Sequence, residues 1–141
     1  MILDTFLLMA DAQSSTVSHA SSDYIDTKKA GDIGGSAWFV FRVDTLFAST
    51  GTVTGTVELQ TSPATNFTDS GTATLVATSA LAFSKFVAGY TIKLRIPSGV
   101  NRYLRGYITV SPNTGGNYAT SCISDMFIVK DVDMGTEKVE A

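Results

Sequence analysis

His19 is the only histidine and Cys122 the only cysteine in the chain. Acid–base, nucleophilic and metal chemistry must therefore be judged around these two residues and the carboxylates. A Ser-His-Asp relay would have to run through His19. The stretch SHASSDY (18–24) holds the right residue types, yet no serine sits in a nucleophile-elbow pattern, and adjacency in sequence is not relay geometry. One imidazole also excludes a multi-histidine metal site. The acid pairs Asp23/Asp26 and Asp131/Asp133 lack the dense Asp/Asn spacing of a calcium loop and read as solvated acids. Cys122 alternates with Ser121 and Ile123, as a small core residue of a strand does. AGDIGGSAW (30–38) has the glycine spacing of a phosphate loop but neither its Lys-Ser/Thr ending nor a following helix, so it reads as a turn. No catalytic residue, metal ligand or cofactor site is assigned, and the chain is expected not to be an enzyme.

What remains is the chemistry of recognition, concentrated in RYLRGYITV (102–110). Leu104, Gly106, Ile108 and Val110 share one parity and are apolar or small; Tyr103, Arg105, Tyr107 and Thr109 share the other. In a strand, that pattern turns an aliphatic face inward and a Tyr/Arg face outward, with Arg102 at the entrance. Tyrosine and arginine are enriched at protein–protein hot spots, because each combines a large apolar body with a polar tip. The pattern therefore favours an interface over a catalytic groove. Outward aromatics could equally stack on sugar rings, and Tyr90 and Tyr118 add to the supply. Trp38, in the most hydrophobic strand, is expected in the core.

These residues need elements to position them, and the sequence offers short β runs between turn residues. STVSHA (15–20) and DYIDT (23–27) read as a first pair of strands. AWFVFRVDTLF (37–47) sets Phe39, Phe41 and Val43 against Trp38, Val40, Arg42 and Asp44. GTVELQTS (55–62), TATLVATS (72–79), YTIKLRIP (90–97), RYLRGYITV and SCISDMFIVKDV (121–132) follow. SPNTGGNY (111–118) reads as a hairpin loop between the last two. The expectation is an all-β, jelly-roll-like antiparallel sandwich of about eight strands. Residues 15–132 form the domain, 1–14 an extended N-terminal arm and 133–141 a polar tail.

Composition agrees with this reading. The chain has 141 residues, enough for one domain with its own core. Its net charge of −3 lacks the basic footprint of a nucleic-acid binder. Charged residues make up 16%, below the roughly 25% usual in soluble domains. Hydroxyls replace them, with 19 Thr and 15 Ser, a surface suited to being partly covered by a partner. A lone cysteine permits no intrachain disulfide, which fits synthesis in a reducing cytoplasm. MILDTFLLMADAQ lacks the basic start of a signal peptide, and no run reaches the roughly 18 apolar residues of a membrane span.

Three segments in order carry a family resemblance: Met1 to Asp4 with Ala10 to Gln13, Val57 to Ser62, and Arg102 to Val110. In MILDTFLLMADAQ, TVELQTS and YLRGYITV the chain resembles the capsid cement proteins of tailed bacteriophages, of the type found in a Bordetella phage. Gly106, where the family pattern carries a bulkier residue, and the longer tail beyond Val132 depart from it. The resemblance implies a jelly roll that self-associates, as a dimer rather than a trimer, on the outer surface of the virion. There it would bridge subunits of the major capsid protein after synthesis in the host cytoplasm. Neither nucleic acid nor membrane is an expected partner. The interface candidates are Ile2, Leu3, Phe6, Leu7, Arg102, Tyr103, Arg105 and Tyr107. Together with Leu8 and Met9, the first four are too apolar to stay in water, so they pack on a partner or on their own domain. The competing reading is a glycan-binding jelly roll using the loops PATNFTD and PNTGGNY.

Overall fold

The computed structural model describes residues 8–14, 16–28, 37–67, 72–112 and 114–130. Among them lie ten strands, one short 3-10 turn at Phe83–Lys85 and no α-helix. The strands are β1 (Leu8–Ser14), β2 (His19–Ala20), β3 (Ile25–Asp26), β4 (Ala37–Thr50), β5 (Thr54–Ser62), β6 (Ala73–Ala77), β7 (Leu81–Ala82), β8 (Thr91–Arg95), β9 (Tyr103–Ser111) and β10 (Tyr118–Lys130). All pairings are antiparallel. One sheet runs β1-β10-β4-β8. The other runs β2-β9-β5-β6, with β3 also on β9 and β7 also on β5.

Two pairs of short strands share a single place each. β2 and β3 lie end to end along β9, at Ile108–Tyr107 and Leu104–Tyr103. Between them Ser21 bridges the gap: its N–H donates to the Gly106 carbonyl at 2.8 Å, and its hydroxyl accepts the Gly106 N–H at 3.1 Å. β6 and β7 likewise lie along β5, joined by the Thr78 N–H donating to the Val57 carbonyl. Ten segments thus fill eight positions, two sheets of four, in the strand order of a jelly roll. The expected sandwich of about eight strands is the observed one.

The core lies between the sheets and follows the period of two. Phe39, Phe41 and Val43 from β4, Val57 and Leu59 from β5, Leu104 and Ile108 from β9, and Cys122, Met126 and Ile128 from β10 are all buried there. One end is aromatic: Phe47 stacks on Phe86 at 4.9 Å between ring centres, and Phe41, Phe83 and Tyr90 pack edge-on or tilted around the pair. Gly106 belongs to this interior. A Cβ there would stand 2.4 Å from the Met126 sulfur and 3.3 Å from the Phe39 ring. The small residue at 106 therefore makes room for two large ones behind it. Burial pushes the Cys122 thiol up to about 12, so it remains protonated at neutral pH, in keeping with a packing role.

Four expectations are corrected. The arm assigned to 1–14 is, from Leu8 onward, the edge strand β1, with Met9 and Ala10 in the core. The strands around His19 and Ile25 do not pair with each other, since both pair with β9. SPNTGGNY closes no hairpin: β9 and β10 belong to different sheets, and the loop crosses between them, with Gly115 and Gly116 at φ +64° and +86°. Trp38 is half-buried on the outer side of β4, opposite Arg95 and Val129, and is not part of the core. Ile2, Leu3, Phe6 and Leu7, most of the glycine turn at 30–38 and the tail from 131 lie outside the described residues.

Candidate interaction face

The outer face of the β2-β9-β5-β6 sheet is built on β9. Its inward residues Leu104, Gly106, Ile108 and Val110 are buried, which leaves Tyr103, Arg105, Tyr107 and Thr109 half-buried on the outer side. Register decides their neighbours. Tyr103 sits between Ser62 on β5 and Asp26 on β3, Arg105 beside Gln60, and Tyr107 between Glu58 and Ala20.

Ring contacts join these residues into one strip. Tyr24, from the gap between β2 and β3, meets Tyr103 edge-on at 5.4 Å and lies 6.4 Å from Phe67. The Arg105 guanidinium lies 4.5 Å from the Phe67 ring centre and 5.5 Å from that of Tyr107, and Arg102 lies 5.1 Å from Tyr103. Each such contact attracts, because the ring's π face is negative. Phe67 is held at φ +53°, a backbone conformation that costs a residue with a side chain of order 1 kcal/mol. Burying its ring beneath Arg105 offsets that cost.

The two arginines of the strip differ in their acids. Arg102 is clamped by Asp26, with Nε donating to Oδ1 at 2.8 Å and Nη2 to Oδ2 at 3.0 Å. The Lys28 N–H donates to the same carboxylate at 2.7 Å. These donors, the guanidinium first, hold the Asp26 carboxyl well below the usual range, and Asp26 in turn raises Arg102. Arg105 instead donates its Nε to the neutral amide oxygen of Gln60, at 2.7 Å. Among the described residues no carboxylate stands within ion-pair distance of it. Burial pulls its guanidinium below the ordinary value, with Tyr107 and Glu58 acting in the opposite sense.

The interface residues expected on β9 are thus brought together: Tyr103, Arg105 and Tyr107 line one surface, with Arg102 at its end. Sequence reasoning missed Tyr24 and Phe67, which reach the strip from outside the strands. The only available signal was Phe67 itself, an aromatic set in the polar loop PATNFTDS. His19 lies elsewhere, with Nε2 2.8 Å from the Ser14 carbonyl oxygen and Nδ1 2.6 Å from that of Ala20 and 3.0 Å from the Gln13 amide nitrogen. It sits where the chain turns from β1 to β2. Among the described residues no three His, Cys, Asp or Glu side chains stand close enough to hold a metal ion.

The family model Bbp16 matches residues 9–122, from β1 into β10 and across the whole strip. The chain belongs to the Bbp16 family. The family name is suggestive of a Bordetella phage protein. No curated protein matches the chain. Within this Bbp16 chain the matched span holds β2 to β9 whole and every residue of the strip.

Proposed function

We propose that this Bbp16-family chain is a capsid cement protein. It self-associates on the outer shell, as a dimer rather than a trimer, and bridges neighbouring subunits of the major capsid protein. The observation that carries the reading is the continuous Tyr/Arg strip across the outer wall of a jelly roll. Such a wall holds a partner by area and shape, and no bond-making is required of it. A contact of about 800 Å² per partner would suffice, because many copies on one lattice make release slow even where each grip is modest. The low charge and abundant hydroxyls of the surface suit a protein that is partly covered in use.

The glycan-binding reading loses one of its aromatics. Phe67, the ring in the PATNFTD loop, is buried beneath Arg105 and offers no open platform.

Co-sedimentation tests the proposal. Mixed with empty shells assembled from the cognate major capsid protein, the purified chain should pellet with them at a saturating, symmetric stoichiometry. Removing residues 1–7, which hold Ile2, Leu3, Phe6 and Leu7 and leave Leu8–Ser14 in place, should abolish shell binding or self-association while the circular dichroism of the β domain is kept. Glycan binding by a monomer with no affinity for shells would overturn the assignment.

A further inference from the structure

Arg105 combines three properties. Its guanidinium lies against the rings of Phe67 and Tyr107, at 4.5 and 5.5 Å. Its Nε is committed to Gln60, which fixes the plane of the group. Its two terminal nitrogens, Nη1 and Nη2, make no hydrogen bond among the described residues. The end-on edge of the fork is therefore positioned and open, whereas the side-on edge is closed by Gln60.

The charges around it define what that edge would accept. Arg102 and Asp26 cancel each other in a bidentate pair, with Lys28 beside them at 3.8 Å from the Asp26 carboxylate. Glu58 faces the same wall through the Gln60 position. It accepts from the Gln60 amide and from the Thr74 hydroxyl and stands outside ion-pair distance of Arg105. A polyanion such as nucleic acid or a phosphate cluster would meet Glu58 and a chain of net charge −3. A single carboxylate meets one open guanidinium and an aromatic shelf. Removed from water without an anion, a guanidinium loses solvation that nothing in this wall restores, and a partner's acid would supply the missing interaction.

We infer that Arg105 is the anchor of the strip and takes one Asp or Glu side chain of the shell subunit, end-on through Nη1 and Nη2, with Tyr24, Tyr103 and Tyr107 packing against the segment that carries it. This rests on the cement reading above and names the partner chemistry for it.

Zero-length cross-linking tests the contact itself. In Arg105→Lys the ammonium takes the place of the fork, and a water-soluble carbodiimide then joins that amine to a touching carboxylate as an amide. On shells, the expected product is a peptide pair linking position 105 to one Asp or Glu of the major capsid protein. In parallel, Arg105→Gln should raise the half-saturation concentration for co-sedimentation by about tenfold or more. Arg105→Lys should fall between that variant and the wild type, because it keeps the charge but loses the fork. Lys93→Gln, on the opposite sheet, should bind as wild type does.

Two failures remain distinguishable. If the wild type binds shells but Arg105→Gln binds equally well, or position 105 forms no cross-link, this assignment falls and the cement reading stands. If the wild type does not bind shells, both fall. Melting curves of the variants separate a lost contact from a lost fold, and an unfolded Arg105→Gln leaves the cross-link as the deciding measurement.

Discussion

The two outer walls of the sandwich carry the same arrangement, an arginine on an aromatic ring, with opposite results. On the β1-β10-β4-β8 side, Arg42 lies 5.7 Å from the centre of the Phe127 ring and donates to Asp125 through Nε at 3.1 Å and Nη2 at 2.6 Å. Asp125 is 4% exposed and Phe127 1%. The other oxygen of Asp125 accepts the Ala12 N–H at 2.7 Å, and Ala12 is held at φ +49° to deliver it. That arginine serves the fold: its side chain is 45% exposed, yet with its buried acid it fastens the edge strand β1 to the sheet. On the opposite wall Arg105 has rings on two sides but an amide in place of an acid. The lesson is that the partner, and not the arginine or its ring, separates a fastening from a grip. A guanidinium closed by its own carboxylate belongs to the fold, and one closed by a neutral group keeps its charge for something else.

Asp125→Ala should produce the largest change. It leaves the Arg42 fork and the Ala12 N–H without their acceptor and should lower unfolding free energy by about 3 kcal/mol in urea titration. Amide exchange at Ala12 should accelerate with it, because β1 loses its tether. A variant as stable as the wild type would break the comparison from this side. Arg105→Gln breaks it from the other: its unfolding free energy should change by less than about 1 kcal/mol, although its binding is the one expected to fail. If Arg105→Gln destabilised the fold as much as Asp125→Ala, the two walls would not differ in kind.

The smallest effect concerns Asp26, which sharpens the contrast within the strip. Its folded carboxyl titrates below its ordinary value of 3.8, so the stability it contributes is present above about pH 4 and is lost as pH falls through the folded value. The melting temperature of Asp26→Asn should therefore lie below that of the wild type at neutral pH and converge with it in acid. A gap that widened on acidification would reverse the sign of this pairing.

Much of this was legible from alternation alone. The inward and outward sets of β9 follow directly from RYLRGYITV, and those of β4 from AWFVFRVDTLF. What was not legible has a physical reason in each case. β1 escaped because its register with β10 shifts twice, between Leu8 and Ala10 and between Ala10 and Gln13, which destroys the period of two. SPNTGGNY has the residues of a hairpin because a tight turn needs positive φ whether the chain returns to its own sheet or crosses to the other. Trp38 follows parity rather than hydrophobicity: Phe39, Phe41 and Val43 take the inside, so Trp38, one residue before Phe39, falls on the outer side. Tyr24 and Phe67 reach the strip only through tertiary packing, which local pattern does not encode.

Gly106 fills no space of its own, yet it allows Phe39 and Met126 to occupy the interior directly behind the arginine. On β9, then, the duties of structure and of contact fall on alternate residues and hardly touch. Descendants of such a polypeptide could exchange positions 103, 105 and 107 for other side chains and leave the interior volume as it was. The grip proposed for this wall can therefore evolve quickly on a scaffold that stays the same.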